Sequence, residues 1–185
     1  TKNKDITSSI QYAKRIQDAT FTQKIKLKKI FPDSFILYKP RDIVSGDFYW
    51  FRETNGKALI AAVDCTGHGV PGAFMSLIGN NLLNNIFEKN GIVSPTEILR
   101  LMDNGLISAL KKVEQESLAL DGMTISLCAI DLNSGEVEMA SAGRPIIWFE
   151  GGKVKEFHGS KIPLGLVLTK EHTFNFEKIK LQKGD

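Results

Sequence analysis

The run Ile60-Ala61-Ala62-Val63-Asp64-Cys65-Thr66-Gly67-His68-Gly69-Val70-Pro71-Gly72-Ala73-Phe74-Met75-Ser76-Leu77 changes character twice along its length. It opens inside an apolar stretch, Ala58 to Val63, of the kind that makes a buried strand. It then sets a carboxylate at the strand's end, turns through two glycines, and starts a helix with Pro71 near the first turn. A carboxylate leaving a buried strand must be paired or metal-bound, although Asp is also a common cap of turns. Upstream, Arg41-Asp42-Ile43-Val44-Ser45-Gly46-Asp47-Phe48-Tyr49-Trp50 repeats the arrangement, with Asp47 beside a glycine and ahead of an aromatic strand. Asn55-Gly56 lies between the two runs and predicts a hairpin turn. Closing that hairpin brings Asp47 and Asp64 to the same sheet end. Two carboxylates among small residues suit a hard divalent cation.

These residues carry a resemblance. Ser45-Gly46-Asp47-Phe48-Tyr49, followed by Asp64-x-x-Gly67-His68-Gly69-x-x-Gly72-Ala73, resembles the SpoIIE-type branch of the metal-dependent protein serine/threonine phosphatases. Gly122-Met123-Thr124-Ile125-Ser126-Leu127, Ala140-Ser141-Ala142-Gly143-Arg144-Pro145 and Pro163-Leu164-Gly165 follow in the family's order. The resemblance runs from about Phe31 to the last residue. It implies a central antiparallel β-sandwich flanked by α-helices, within the α+β class. It implies hydrolysis of phosphoserine or phosphothreonine by metal-activated water, with Mg²⁺ or Mn²⁺ as cofactor and no covalent intermediate. Two such ions about 3.5–4 Å apart can bind phosphate oxygens and acidify a bridging water. On the resemblance, Asp64 bridges the two ions, Cys65 offers its backbone carbonyl, and Asp47 holds a metal directly or through water. The implied partners are a phosphorylated signalling protein of the anti-sigma-factor antagonist type and an upstream sensory module.

Length and composition agree with one globular domain plus an appendage: residues 1–30 as a helical linker and 31–185 as the phosphatase-like domain. With 42% hydrophobic and 24% charged residues, the chain has ordinary soluble-globular composition. No apolar run approaches the roughly 20 residues of a membrane span. Cys65 and Cys128 both sit in apolar strand-like runs, which argues against a disulfide framework and for a reducing cytoplasm. The net charge of +3 is modest, and Lys24, Lys26, Lys28 and Lys29 read as a solvated face, not a nucleic-acid surface.

Residues 1 to about 29 read as one helix with a narrow stripe of Ile6, Ile10, Ala13, Ile16 and Ala19. Such a stripe pairs with another helix, giving a homodimer, or lies on its own domain. Strands are predicted at 34–39, 47–52, 58–65, 124–132, 136–141, 146–150, 153–157 and 172–181. Helices are predicted over 71–89, with Phe74, Leu77, Ile78, Leu82 and Ile86 on one face, and from Ser94 onward. Ser94 is the cap, Pro95 stands in the first turn, Glu97 completes the capping pattern, and Val113 lies at the far end. Strands, then two helices, then strands is an α+β order.

Several basic side chains bear on the phosphate chemistry. Arg41 is a candidate phosphate ligand because guanidinium binds phosphate in a bidentate manner; Lys39 and Arg144 are weaker ones. His68 titrates in the useful range, but type 2C relatives carry a His where this chain has Thr66, so a loop role is expected. His158 and His172 carry no partner signal. Family members continue after a Gly-Asp such as Gly184-Asp185 into further acidic motifs that complete one metal site. Asp103, Asp121 and Asp131 lie in the wrong pattern contexts to substitute for them. One bound ion or none is therefore expected of residues 1–185. The competing reading is a catalytically incomplete domain that binds a phosphoprotein or dimerises.

Overall fold

The computed structural model describes residues 2–21, 24–91, 94–111, 121–166, 172–182 and 184–185. Its centre is a five-stranded, wholly antiparallel sheet. The strands are β1 (Phe48–Thr54), β2 (Lys57–Cys65), β3 (Met123–Asp131), β4 (Glu136–Ala142) and β7 (Phe176–Lys180), in the spatial order β1-β2-β3-β4-β7. β5 (Ile146–Glu150) and β6 (Lys153–Phe157) form a separate hairpin. Two helices, α3 (Val70–Asn90) and α4 (Pro95–Lys111), cover one face of the sheet, as the α+β reading expects.

The β1–β2 turn is the predicted one. Asn55 and Gly56 take φ of 51° and 72°, the left-handed pair of a two-residue hairpin. That turn fixes the register, pairing Thr54 with Lys57 and Phe48 with Val63. Alternation then sends Phe48, Trp50, Leu59, Ala61, Val63 and Cys65 to the helical face, where they meet Met102, Leu106, Ile125 and Leu127 in the main core. Trp50 is fully buried and its indole N–H donates to Asn84 Oδ1 at 2.9 Å.

Helix α4 starts as its sequence predicts, with the Glu97 N–H donating to Ser94 Oγ at 3.3 Å. Val113 lies outside the described residues. Helix α3 keeps most of the expected face, with Ile86 buried and Ile78 and Leu82 packed against the core, and adds small residues to it. Gly72, Ala73, Met75, Ser76, Gly79, Asn80, Leu83 and Ile86 are buried, whereas Phe74 is exposed. Small residues let the helix axis approach the sheet: a Cβ on Gly79 would lie 2.9 Å from Met123 Cε and 3.1 Å from Phe48 Cζ.

The single N-terminal helix is two, α1 (Lys2–Thr20) and α2 (Lys24–Ile30). The apolar stripe is not docked as a whole: Ile6, Ala13, Ile16 and Ala19 are exposed and Ile10 alone of its members is partly covered. Ile10, Lys14, Gln17 and Phe21 line the side toward the domain, with Phe21 stacked on Phe48 at 5.4 Å between ring centroids. The segment expected as a strand over 34–39 forms no strand pairing among the described residues, although the Tyr38 ring meets Tyr49 edge-on at 6.0 Å between centroids. Phe35 and Leu37 there are exposed, while Leu27, Ile30, Phe31 and Ile36 pack with Phe51 and Ala58 on the second face of the sheet. The last strand is confined to 176–180. Among the described residues, no helix is long and apolar enough to cross a membrane.

Candidate active site

The hairpin register decides the site. Since Phe48 pairs with Val63, the next residue outward on each strand places Asp47 opposite Asp64. Asp64 is in turn cross-strand from Thr124 on β3. The two carboxylates are neighbours, as the hairpin turn predicts, and the Asp64 side chain is half exposed. The Asp47 carboxyl is held above its ordinary range, first by partial loss of hydration and then by the hydrogen bond and like charge of Asp64. Arg144 opposes that rise.

Arg41, Asp42, Asp47, Asp64, His68 and Gly69 share one small cavity of about 120 Å³. Arg41 is thus brought to the carboxylates, although no hydrogen bond joins them. His68 is an exposed loop side chain with Nδ1 3.7 Å from Asp42 Oδ2, which agrees with its expected loop role. Cys65 faces the core, and burial followed by the charges of Asp64 and Asp47 pushes its thiol up to about 12. Such a thiol is neither a nucleophile nor a metal ligand near neutral pH.

The glycines of this loop serve close backbone approach. A Cβ on Gly72 would lie 2.7 Å from the Gly67 carbonyl oxygen, and one on Gly46 would crowd the Cys65 and Gly67 carbonyls at 3.3 and 3.4 Å. Gly67 and Gly69 both adopt positive φ. Thr66, at the position where type 2C relatives carry a histidine, is a clamp: its Oγ1 accepts the Gly122 N–H at 2.8 Å and lies 3.5 Å from Asp121 Oδ1.

Arg144 was ranked low by sequence pattern, yet its Nη2 lies 3.4 Å from Asp64 Oδ2. The eighty residues between them hide this pairing from any local pattern. His172 likewise has partners that its sequence context does not reveal. Its Nδ1 is 3.3 Å from Asp103 Oδ2 and its Nε2 is 2.5 Å from Ser160 Oγ. Asp103 Oδ1 also accepts the Gly165 N–H at 2.7 Å, so this buried array ties α4 to the 160–165 loop. His158 pairs with Glu156 at 2.9 Å on the surface.

The donors present suit a hard cation in part. Asp47 and Asp64 supply adjacent carboxylate oxygens, and the Thr124 hydroxyl, in register with Asp64, is buried without a partner. Among the described residues, no three His, Cys, Asp or Glu side chains stand together as a closed metal cage.

Comparison with known proteins bears on the same residues. The family model for Stage II sporulation protein E (SpoIIE) matches residues 54–185. The solved SiaA-PP2C domain of Pseudomonas aeruginosa is 30% identical, with a TM-score of 0.84, over 98% of this chain and 70% of that one. The PP2C phosphatase domain of SpoIIE from Bacillus subtilis, solved with a fragment of its regulatory domain, is 24% identical with a TM-score of 0.59. The match covers 75% of this chain and 39% of that one. RsbX, solved in complex with magnesium, is 15% identical with a TM-score of 0.58 over 81% of this chain and 67% of that one, a likeness of fold. No curated protein matches the sequence. The matched residues carry β2, the glycine loop, Asp64 and the Arg144 loop, so the chain belongs to the SpoIIE family, with the PP2C-type phosphatase fold.

Proposed function

We propose that this domain is a Mg²⁺- or Mn²⁺-dependent protein serine/threonine phosphatase acting on a phosphorylated signalling protein of the anti-sigma-factor antagonist type. The observation that carries the reading is the facing of Asp47 and Asp64 across the open end of β1 and β2. Residues 1–30 serve as the helical linker to a sensory module and 31–185 as the catalytic domain, working in the cytoplasm.

Asp47, Asp64 and the Cys65 backbone carbonyl are the cation's ligands in this reading. When bound, the ion supplies charge neutralisation at the phosphate and an acidified water. The chain's own groups do the rest. Asp47 and Asp64 concentrate negative charge at one point and hold it on a rigid hairpin. Gly67 and Gly69 let the loop pass close to that point without a Cβ in the way. Arg41 draws the phosphate dianion to the rim of the same cavity.

Calorimetric titration with Mn²⁺ tests this directly. The wild-type chain is expected to bind, and Asp64→Asn to lose binding while its thermal unfolding stays cooperative. Equal affinity in the two proteins would remove Asp64 from the ligand set.

A second reading, a phosphoprotein-binding or dimerisation module, draws on helix α1. Its Ile6 and Ile16 remain exposed although the helix is docked through its other side. A second copy of the same helix is the occupant that such a stripe fits.

A further inference from the structure

Arg144 stands at a boundary. On one side its guanidinium reaches Asp64 through Nη2 at 3.4 Å. On the other, Arg144 lines a cleft of about 200 Å³ together with Pro145, His158, Gly159, Ser160 and Lys161. The cleft wall therefore carries a second positive charge, the exposed Lys161, on the side of Arg144 away from Asp64.

The loop holding Arg144 is seated closely. Gly143 takes φ of 75°, and a Cβ there would fall 2.6 Å from Thr124 Cγ2. The Gly143 N–H donates to the Ser160 carbonyl at 2.8 Å, and the Ser160 N–H donates to the Ser141 carbonyl at 2.9 Å. Ser160 is itself held through His172 and Asp103. Arg144 thus projects from a braced turn, while among the described residues its head makes one hydrogen bond, through one of its five N–H donors. The pair is a third to a half exposed, which makes it weak enough to exchange.

A divalent ion on Asp64 and a guanidinium on the same carboxylate repel each other at contact distance. The two cations compete for Asp64, and the released guanidinium needs an anion. We propose that Arg144 is an exchangeable counter-ion: it neutralises Asp64 in the metal-free protein and binds the phosphate monoester dianion once a cation holds Asp64. The inference rests on the metal reading above and adds to it a residue, an exchange and an anion subsite at the Lys161 cleft. It makes cation and phosphate loading cooperative, since each removes a cost of binding the other.

Calorimetry on the intact chain separates the possibilities, using Mn²⁺ and O-phosphoserine as probes with wild type, Arg144→Ala and Arg144→Lys. Arg144→Ala is expected to bind Mn²⁺ up to about fivefold more tightly, the scale of a half-exposed ion pair. In saturating Mn²⁺ the same variant is expected to lose about tenfold or more in O-phosphoserine affinity, with Arg144→Lys intermediate. Without Mn²⁺, wild type and Arg144→Ala should bind O-phosphoserine equally poorly. Unchanged or weaker Mn²⁺ binding by Arg144→Ala, or unchanged phosphoserine affinity in Mn²⁺, overturns the exchange. Absence of Asp64-dependent Mn²⁺ binding in wild type instead overturns the metal reading beneath it. A thermal melt of Arg144→Ala superposable on wild type excludes loss of fold as the cause.

Discussion

Gln17 and Ser45 hold each other in two directions. The Gln17 Nε2 donates to the Ser45 carbonyl at 2.7 Å, and the Ser45 N–H donates to Gln17 Oε1 at 3.0 Å. Both residues are buried, and the Ser76 hydroxyl lies within 3.0 Å of the same carbonyl. The Ser45 side chain then accepts the Asp47 N–H at 3.0 Å. One amide therefore joins the N-terminal helix to the loop that carries a site carboxylate.

Gln17→Leu should be costly for that reason. Removing the amide leaves the buried Ser45 N–H without an acceptor, worth about 1–3 kcal/mol. At the scale of about 2–4 °C per kcal/mol for a domain of this size, the melting temperature should fall by several degrees. Calorimetric melts of the two proteins provide the check. A melt within 1 °C of wild type would mean that water replaces the amide, so that the joint is not a structural one.

The elements legible in the sequence were those fixed by local chemistry. Asn55-Gly56 set a two-residue turn, and the turn alone determined that Asp47 and Asp64 would meet. Ser94-Pro95-Thr96-Glu97 set the start of α4. What escaped depended on partners distant in sequence. The small-residue part of the α3 face escaped, since Gly72, Ser76 and Gly79 are buried for their small size, which hydropathy does not reward. The segment 34–39 alternates like a strand, but a strand needs a neighbour's hydrogen bonds. Gln17 carries no local signal of its role, since its buried partner lies 28 residues away. Arg144 and His172 were undervalued for the same reason, since their partners Asp64 and Asp103 lie 80 and 69 residues off.

The Asp103–His172–Ser160 array should matter for stability more than for the carboxylate site. Asp103 and His172 are each about 6% exposed, and Asp103 Oδ2 would keep no partner after His172→Leu. A buried carboxylate oxygen left unpaired costs about 2–4 kcal/mol. Asp103→Asn with His172→Leu should cost less than the sum of the two single changes, because Asp103→Asn removes the charge that His172→Leu strands. Urea denaturation of the four proteins measures this coupling. Strictly additive losses would show that the ring and the carboxylate act independently.

Cys65 offers a chemical probe of the sheet end. Its thiol is raised to about 12 from an ordinary 9.0 by burial and by the two carboxylates. At pH 8 only about one molecule in ten thousand then carries the thiolate, so native alkylation by iodoacetamide should be very slow. The unfolded chain, with an ordinary thiol, should react about a thousandfold faster in thiolate terms. Because the folded value is the higher one, the linkage contribution is fully present below pH 9 and is lost as pH rises toward 12. Mass spectrometry after timed alkylation reads the site. Rapid labelling of Cys65 in the native protein would show that this strand end opens readily.

The exposed stripe on α1 bears on assembly. Ile6 and Ile16 are 59% and 48% exposed, and Ala13 between them is also exposed. Gln17, on a different side of the same helix, fixes it to the domain. A helix already anchored by one face has its second face free to meet a copy of itself without undocking. Ile16→Asp places a charge on that seam while leaving the Gln17 joint untouched, and a charge buried between two helices is strongly unfavourable. Wild type is therefore expected to sediment as a dimer at tens of micromolar and Ile16→Asp as a monomer with an unchanged melting temperature at low concentration. Gln17→Leu, by contrast, should lower stability and leave the seam residues in place. A wild-type chain that stays monomeric across the whole concentration range would assign the stripe to solvent and leave the Gln17 side of the helix as its working face.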